Sequence, residues 1–174
     1  MSDRRERLRR AQIELRPEEL DRVLQGDFPL ATPADPLADF LVQLEIATVE
    51  ETPLYEVPNG SVDLVRPPVR HGPWPAGSCA AVLARWHRAG WLGLYLPDHP
   101  AQWDIAPADW CDRLVDGDTL TAPDAEELLA HPERWRLRHA DGHVAPYQTE
   151  AGRTASWEQW RDEVRDLARR LPLD

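Results

Sequence analysis

Apolar residues recur along this chain at two periods, and each period marks a kind of element. Leu37, Phe40, Leu41 and Leu44 fall three and four apart, which lays them on one side of a helix. Asp35 precedes them as an N-cap, and Pro36 takes the first helical position, where its missing N–H costs nothing. Upstream, Leu8, Ala11 and Leu15 share a face, then Pro17, Glu18 and Glu19 open a second helical turn that Gly26 ends. From Leu54 to Val65 the pattern alternates around Asn59-Gly60, a dipeptide suited to a tight turn with positive φ at both central positions. A β-hairpin is predicted there, with Glu56 opposite Asp63, a like-charge pair that costs stability unless it is exposed. The proline- and glycine-rich run from Arg66 to Gly77 suits neither helix nor central strand, so a boundary is expected near residue 70.

Beyond it, Ser78 is read as the cap of a helix carrying Cys79, Val82, Leu83 and Trp86 on one face and ending at Gly90. A strand from Trp91 to Leu96 follows. Pro107 to Val115 reads as a short helix with Trp110, Cys111, Leu114 and Val115 inward, and Thr121 opens another that runs through Ala130. Trp135 to Tyr147 reads as a second hairpin turning at Asp141-Gly142. Ser156 and Gln159 then cap a last helix, in which Trp157, Trp160, Val164, Leu167 and Leu171 make a long apolar seam and Asp166 can pair with Arg169 or Arg170. The expected fold class is α+β. Residues 1–70 hold helices and a hairpin, and residues 71–174 hold a helical region, a second hairpin and the long C-terminal helix. The order from residue 76 resembles that of a winged-helix domain, in element order alone. That resemblance implies that the helix from Thr121 reads nucleic acid and that the second hairpin is the wing.

Composition narrows the class. The chain has 174 residues, 42% of them hydrophobic, with eight Trp and three Tyr, enough to fill a core and unlike a chain held open by charge. No apolar run approaches the roughly 18 to 20 residues that a membrane helix needs. Arg4, Arg5, Arg7, Arg9 and Arg10 are interrupted by Glu6 and lead into no apolar stretch, so no secretory signal is expected and the cytoplasm is the expected compartment. Cys79 and Cys111 are too few for a disulfide framework and lack metal-ligand spacing. Every one of the 20 basic residues is arginine, a bias typical of a high-GC bacterial genome. A chain without lysine has no P-loop lysine, no kinase-type ATP lysine and no Schiff-base lysine, which excludes those chemistries.

Charge supplies the functional expectation. Most of the net charge of −11 lies between Asp104 and Glu133, where Asp109, Asp112, Asp116, Asp118, Asp124, Glu126 and Glu127 also fall and Arg113 is the single cation. On a helix, Asp109, Asp112 and Asp116 would share the face opposite Trp110 and Leu114. A DNA-reading helix and wing need the opposite sign. A dense acidic patch draws in basic surfaces and speeds encounter, so a small acidic protein can occlude the nucleic-acid channel of a nuclease. In being small, acidic, cytoplasmic and without a catalytic motif, the chain is similar to the immunity proteins that bacteria make against their own toxins. The resemblance implies a non-catalytic inhibitor, immunity- or antitoxin-like, that binds a protein partner with a basic surface, such as a toxin or nuclease. Asp109, Asp112, Asp116, Asp118, Asp124, Glu126 and Glu127 are the candidate binding residues, with Trp103 as an aromatic anchor. No cofactor or metal is called for. The plain alternative is a solvated helix face.

Two other readings stay open. Arg134, Arg136 and Arg138 form a basic strip through which a winged-helix regulator could touch DNA. A cysteine hydrolase is the other. Cys79 follows Gly77-Ser78 at a predicted helix start, where the macrodipole lowers a thiol pKa. Gly142-His143-Val144-Ala145 resembles the histidine strand of papain-like and cell-wall amidase folds, which implies a Cys79–His143 pair. Pro146 would interrupt that strand, and a lone cysteine on the apolar side of a helix is ordinarily core. His139 and His143 flank the Asp141-Gly142 turn without making a specific metal signature. Trp74, beside prolines, is a second candidate anchor.

Overall fold

Capping residues set the first helices. The computed structural model describes residues 16–64, 67–97, 117–136 and 140–174. Helix α1, Pro17–Leu24, starts on its proline, with the Glu19 carboxylate accepting from the Arg16 backbone N–H at 2.9 Å. Helix α2, Pro36–Val49, is capped by Asp35, whose carboxylate accepts from the Ala38 N–H at 3.0 Å. Phe40, Leu41 and Leu44 are buried along it as the periodicity predicts, and Ala47 and Thr48 extend the stripe.

The hairpin expected at Leu54 to Val65 does not form. Val57–Asn59 is a 3-10 turn instead, because Pro58 suits a helical φ and has no N–H to give a ladder. Strand β1, Ser61–Asp63, follows Gly60 and pairs antiparallel with β2, Val69–His71. Asp63 therefore faces Val69, and Glu56 accepts a 2.6 Å bond from the Tyr55 hydroxyl, so the like-charge pair of Glu56 and Asp63 does not exist. Gly60 is required here. Its φ is +70°, and a Cβ on it would stand 1.9 Å from the His71 carbonyl oxygen.

Helix α3, Ala76–Arg88, begins behind Pro75, and Ser78 lies inside it instead of capping it. The buried Ser78 hydroxyl donates to the Pro172 carbonyl at 2.6 Å, which ties the C-terminal segment to α3. Gly90, at φ +77°, takes the left-handed conformation that ends the helix. Strand β3, Leu92–Pro97, then runs through the middle of a sheet with β4, Gly117–Thr119, on one side. Helix α4, Ala122–Ala130, starts at Thr121, whose hydroxyl oxygen accepts from the Asp124 N–H.

The second hairpin is also replaced. Pro132–Arg134 and Ala140–His143 are 3-10 turns, so Asp141-Gly142 lies in helical backbone, and strand β5, Ala145–Gln148, pairs with β3. The sheet order is β4-β3-β5, all antiparallel, and β4 and β5 never meet. Pro146 sits within β5 opposite Leu94, tolerated because β5 is an edge strand of the ladder. Beyond it, the N–H groups of Leu54 and Tyr55 donate to the carbonyls of Val144 and Gly142 at 2.9 and 3.1 Å. The element order that resembles a winged helix thus loses its wing in the described part of residues 135–147.

Helix α5, Glu150–Thr154, leads into α6, Trp157–Ala168, which Ser156 and Gln159 cap reciprocally. Trp160, Val164 and Ala168 are its buried residues, with Trp157, Leu167 and Leu171 partly covered at the margins. Asp166 stands 3.8 Å from Arg169. The Trp160 ring meets Trp86 edge-on at 4.8 Å and Trp91 at 5.6 Å. Trp86 Nε1 donates to the Trp160 carbonyl at 2.8 Å, and Trp160 Nε1 donates to the Gly152 carbonyl at 3.0 Å. The core takes side chains from both sides of residue 70, and Trp74, expected to be free, is buried on Phe40 at 5.5 Å. Among the described residues no helix is long and apolar enough to cross a membrane.

Trp160→Ala removes a fully buried indole and the hydrogen bond of its Nε1 to the Gly152 carbonyl, and is expected to cost about 3 to 5 kcal/mol in urea denaturation. Trp157→Ala, at the margin of the seam, is expected to cost clearly less in the same measurement.

Candidate functional site

Helix α4 buries Ala125, Leu128 and Leu129 and turns Asp124, Glu126 and Glu127 to solvent. The buried side is fixed from outside the helix by Trp135, whose Nε1 donates to the Leu128 carbonyl at 3.1 Å. Because the apolar residues are held, the carboxylates keep one direction. Asp118 is exposed on β4, paired with Leu96. Of the candidate binding residues, these four are the ones described. Asp109, Asp112, Asp116 and Trp103, together with the helix expected over Pro107 to Val115, lie outside the described residues, as does Cys111.

The acidic surface is less uniform than the sequence implies. Asp124 accepts from the Thr121 hydroxyl at 2.6 Å and sits in the first turn of α4, where the helix dipole favours a negative charge. Glu127 is paired with Arg134 at 3.1 Å, an exposed pair. Glu133 has its carboxyl held below the usual carboxylate range, first by its own backbone N–H and then by His131, 3.0 Å away, and by Arg134. Of the basic strip, Arg136 is exposed. Arg134 is committed to Glu127, and Arg138 lies outside the described residues.

The cysteine alternative meets a burial problem. Cys79 is fully buried, one turn inside α3 instead of at its mouth, and burial pushes its thiol up to about 12. A nucleophilic thiol needs access and a lowered pKa, and this one has neither. His143 is exposed in a 3-10 turn, packed edge-on against Tyr55 at 5.5 Å. His139 lies outside the described residues. Among the described residues no group of three or more His, Cys, Asp or Glu side chains could hold a metal ion.

A polar cluster that the sequence reading missed lies between α2 and the β1–β2 ribbon. His71 Nδ1 stands 2.6 Å from Asp39 Oδ1, with both side chains nearly covered. Directly across the ribbon from His71 is Ser61, whose hydroxyl donates to Gln43 Oε1 at 3.2 Å. Asp39 and Gln43 are four apart on α2 and so share the face that meets the ribbon. That spacing was the available signal, but the wrong strand pairing hid the register that brings Ser61 and His71 together.

The raised thiol gives a pH test. A group whose folded pKa lies above its unfolded value lends stability that is complete below the unfolded value and is lost as pH rises. For Cys79 that window runs from the ordinary 9.0 to about 12. Stability measured by urea denaturation is expected to fall across this window in the native chain and to fall less in Cys79→Ala. In the folded protein at neutral pH, iodoacetamide followed by peptide mapping is expected to leave Cys79 unmodified. Comparison of the chain with protein-family models, curated proteins and solved structures finds no match.

Proposed function

We propose that the chain is an inhibitory binding protein of the immunity or antitoxin kind, working in the cytoplasm by occluding a basic protein partner such as a toxin or nuclease. The observation that carries this reading is the orientation of α4. Ala125, Leu128 and Leu129 anchor it, while Asp124, Glu126 and Glu127 face solvent beside the exposed Asp118. A rigid acidic face loses little freedom on docking, and its field raises the encounter rate with a positively charged partner. Glu126 and Asp118 are both exposed. Glu127 shares its charge with Arg134 and contributes less. The acidic run in the sequence also holds Asp109, Asp112 and Asp116, further candidate binding residues, with Trp103 as a candidate apolar anchor.

Occlusion of this kind is salt-sensitive. Capture from the native host, followed by mass spectrometry, is expected to recover a basic protein, and calorimetry should show affinity weakening as salt rises. Charge reversal of Asp118 and Glu126 to Lys is expected to slow association about 10- to 100-fold with a smaller change in dissociation. Reversal of Asp109, Asp112 and Asp116 is expected to act in the same direction. Unchanged affinity in both sets would sink the proposal, as would duplex DNA binding at low salt that competes with the protein partner.

A further inference from the structure

The cluster between α2 and the ribbon holds the parts of a nucleophilic site, independent of the acidic face. We propose that Ser61, His71 and Asp39 form a reactive-serine site for carboxylic esters, with the Gln43 side-chain amide beside the reacting oxygen. Four placements carry this. Asp39 accepts from His71 Nδ1 across 2.6 Å, which fixes the ring and leaves Nε2 as the nitrogen able to take a proton. Ser61 is the cross-strand partner of His71, and such partners stand on one face of a strand pair with Cβ atoms about 4.5 to 5.5 Å apart. The Ser61 hydroxyl is exposed, so an electrophile reaches it from solvent. It lies 3.2 Å from the Gln43 amide oxygen, and the same amide carries two N–H donors of the kind that can serve an oxyanion.

The same residues show why the serine rests on Gln43 and not on the histidine. The bond to Gln43 is long and at the surface, and rotation about the Ser61 Cα–Cβ bond re-aims the hydroxyl within a register that puts His71 opposite. Gly60 holds that register. Its lack of a side chain lets the chain before Ser61 lie against the His71 carbonyl.

The step balances within the site. Ser61 Oγ attacks the ester carbonyl carbon as its proton passes to His71 Nε2. The carbon–oxygen bond to the alcohol then breaks, and the alcohol leaves with that proton. Water repeats the sequence on the acyl-serine, returning the acid and the free hydroxyl. The serine is exposed, so the site suits an ester presented at a surface better than a small enclosed one.

The test is labelling of the full chain by a fluorophosphonate, read by intact mass and peptide mapping. A single adduct on Ser61 is expected, absent in Ser61→Ala and formed at least about 100-fold more slowly in His71→Gln. Failure of the folded wild type to take an adduct at Ser61 would overturn the proposal. So would an equal rate in His71→Gln with its circular dichroism unchanged. Because His71→Gln can loosen the ribbon, hydrolysis of p-nitrophenyl butyrate is compared in Ser61→Ala, an exposed change that leaves the fold intact. Equal turnover there also overturns the proposal. Ser61→Ala is expected to leave binding of a basic partner unchanged, which separates this site from the acidic face.

Discussion

The mutual engagement of Trp86 and Trp160 is the constraint on which the other elements depend. Each indole gives its N–H to a backbone carbonyl, Trp86 to residue 160 and Trp160 to Gly152, so burying two large rings leaves no donor stranded. The pairing fixes α6 against α3, and Gly152 extends it to the turn after β5, where a Cβ would stand 2.1 Å from the Trp91 carbonyl oxygen. Arg85 and Glu163, at 2.6 Å, bridge the same two helices at the surface. From this joint α3 reaches α4 on one side and β3 on the other. The direction in which α4 shows its carboxylates is therefore set by apolar packing.

Helices were legible because their signals are local. Asp35 with Pro36, Thr121, and Ser156 with Gln159 each satisfy N–H groups within three residues, so the caps could be read without knowing the fold. The strands were not. Both predicted hairpins assumed that a glycine turn joins neighbouring strands, whereas β1 reaches β2 across a proline-rich loop and β5 returns to β3 from far along the chain. Pro58 blocks the short pairing around Asn59-Gly60, and no local pattern reports the distant one. Ser78 misled for a related reason. It looks like a cap in sequence, but its partner is Pro172, at the other end of the chain.

The same division governs the sites. The acidic character of α4 can be counted from composition, while the pairing of Glu127 with Arg134 depends on a 3-10 turn that composition does not specify. The burial of Cys79 was expected from its place among Val82, Leu83 and Trp86 on one helical face, and the structure makes that burial complete. The Asp39–His71 pair was invisible because its members are 32 residues apart and belong to elements of different kinds.

The bonds that Leu54 and Tyr55 make to Val144 and Gly142 have a bearing on solubility. An edge strand left bare is a template on which a second copy can add, and repeated addition builds fibres. Here the carbonyls of Gly142 and Val144, just before β5, are taken by the chain's own backbone, and Pro146 within the strand offers no N–H to a newcomer. A copy adding at those two carbonyls would first have to peel away the 54–55 segment, which Leu54, fully buried, holds in the core.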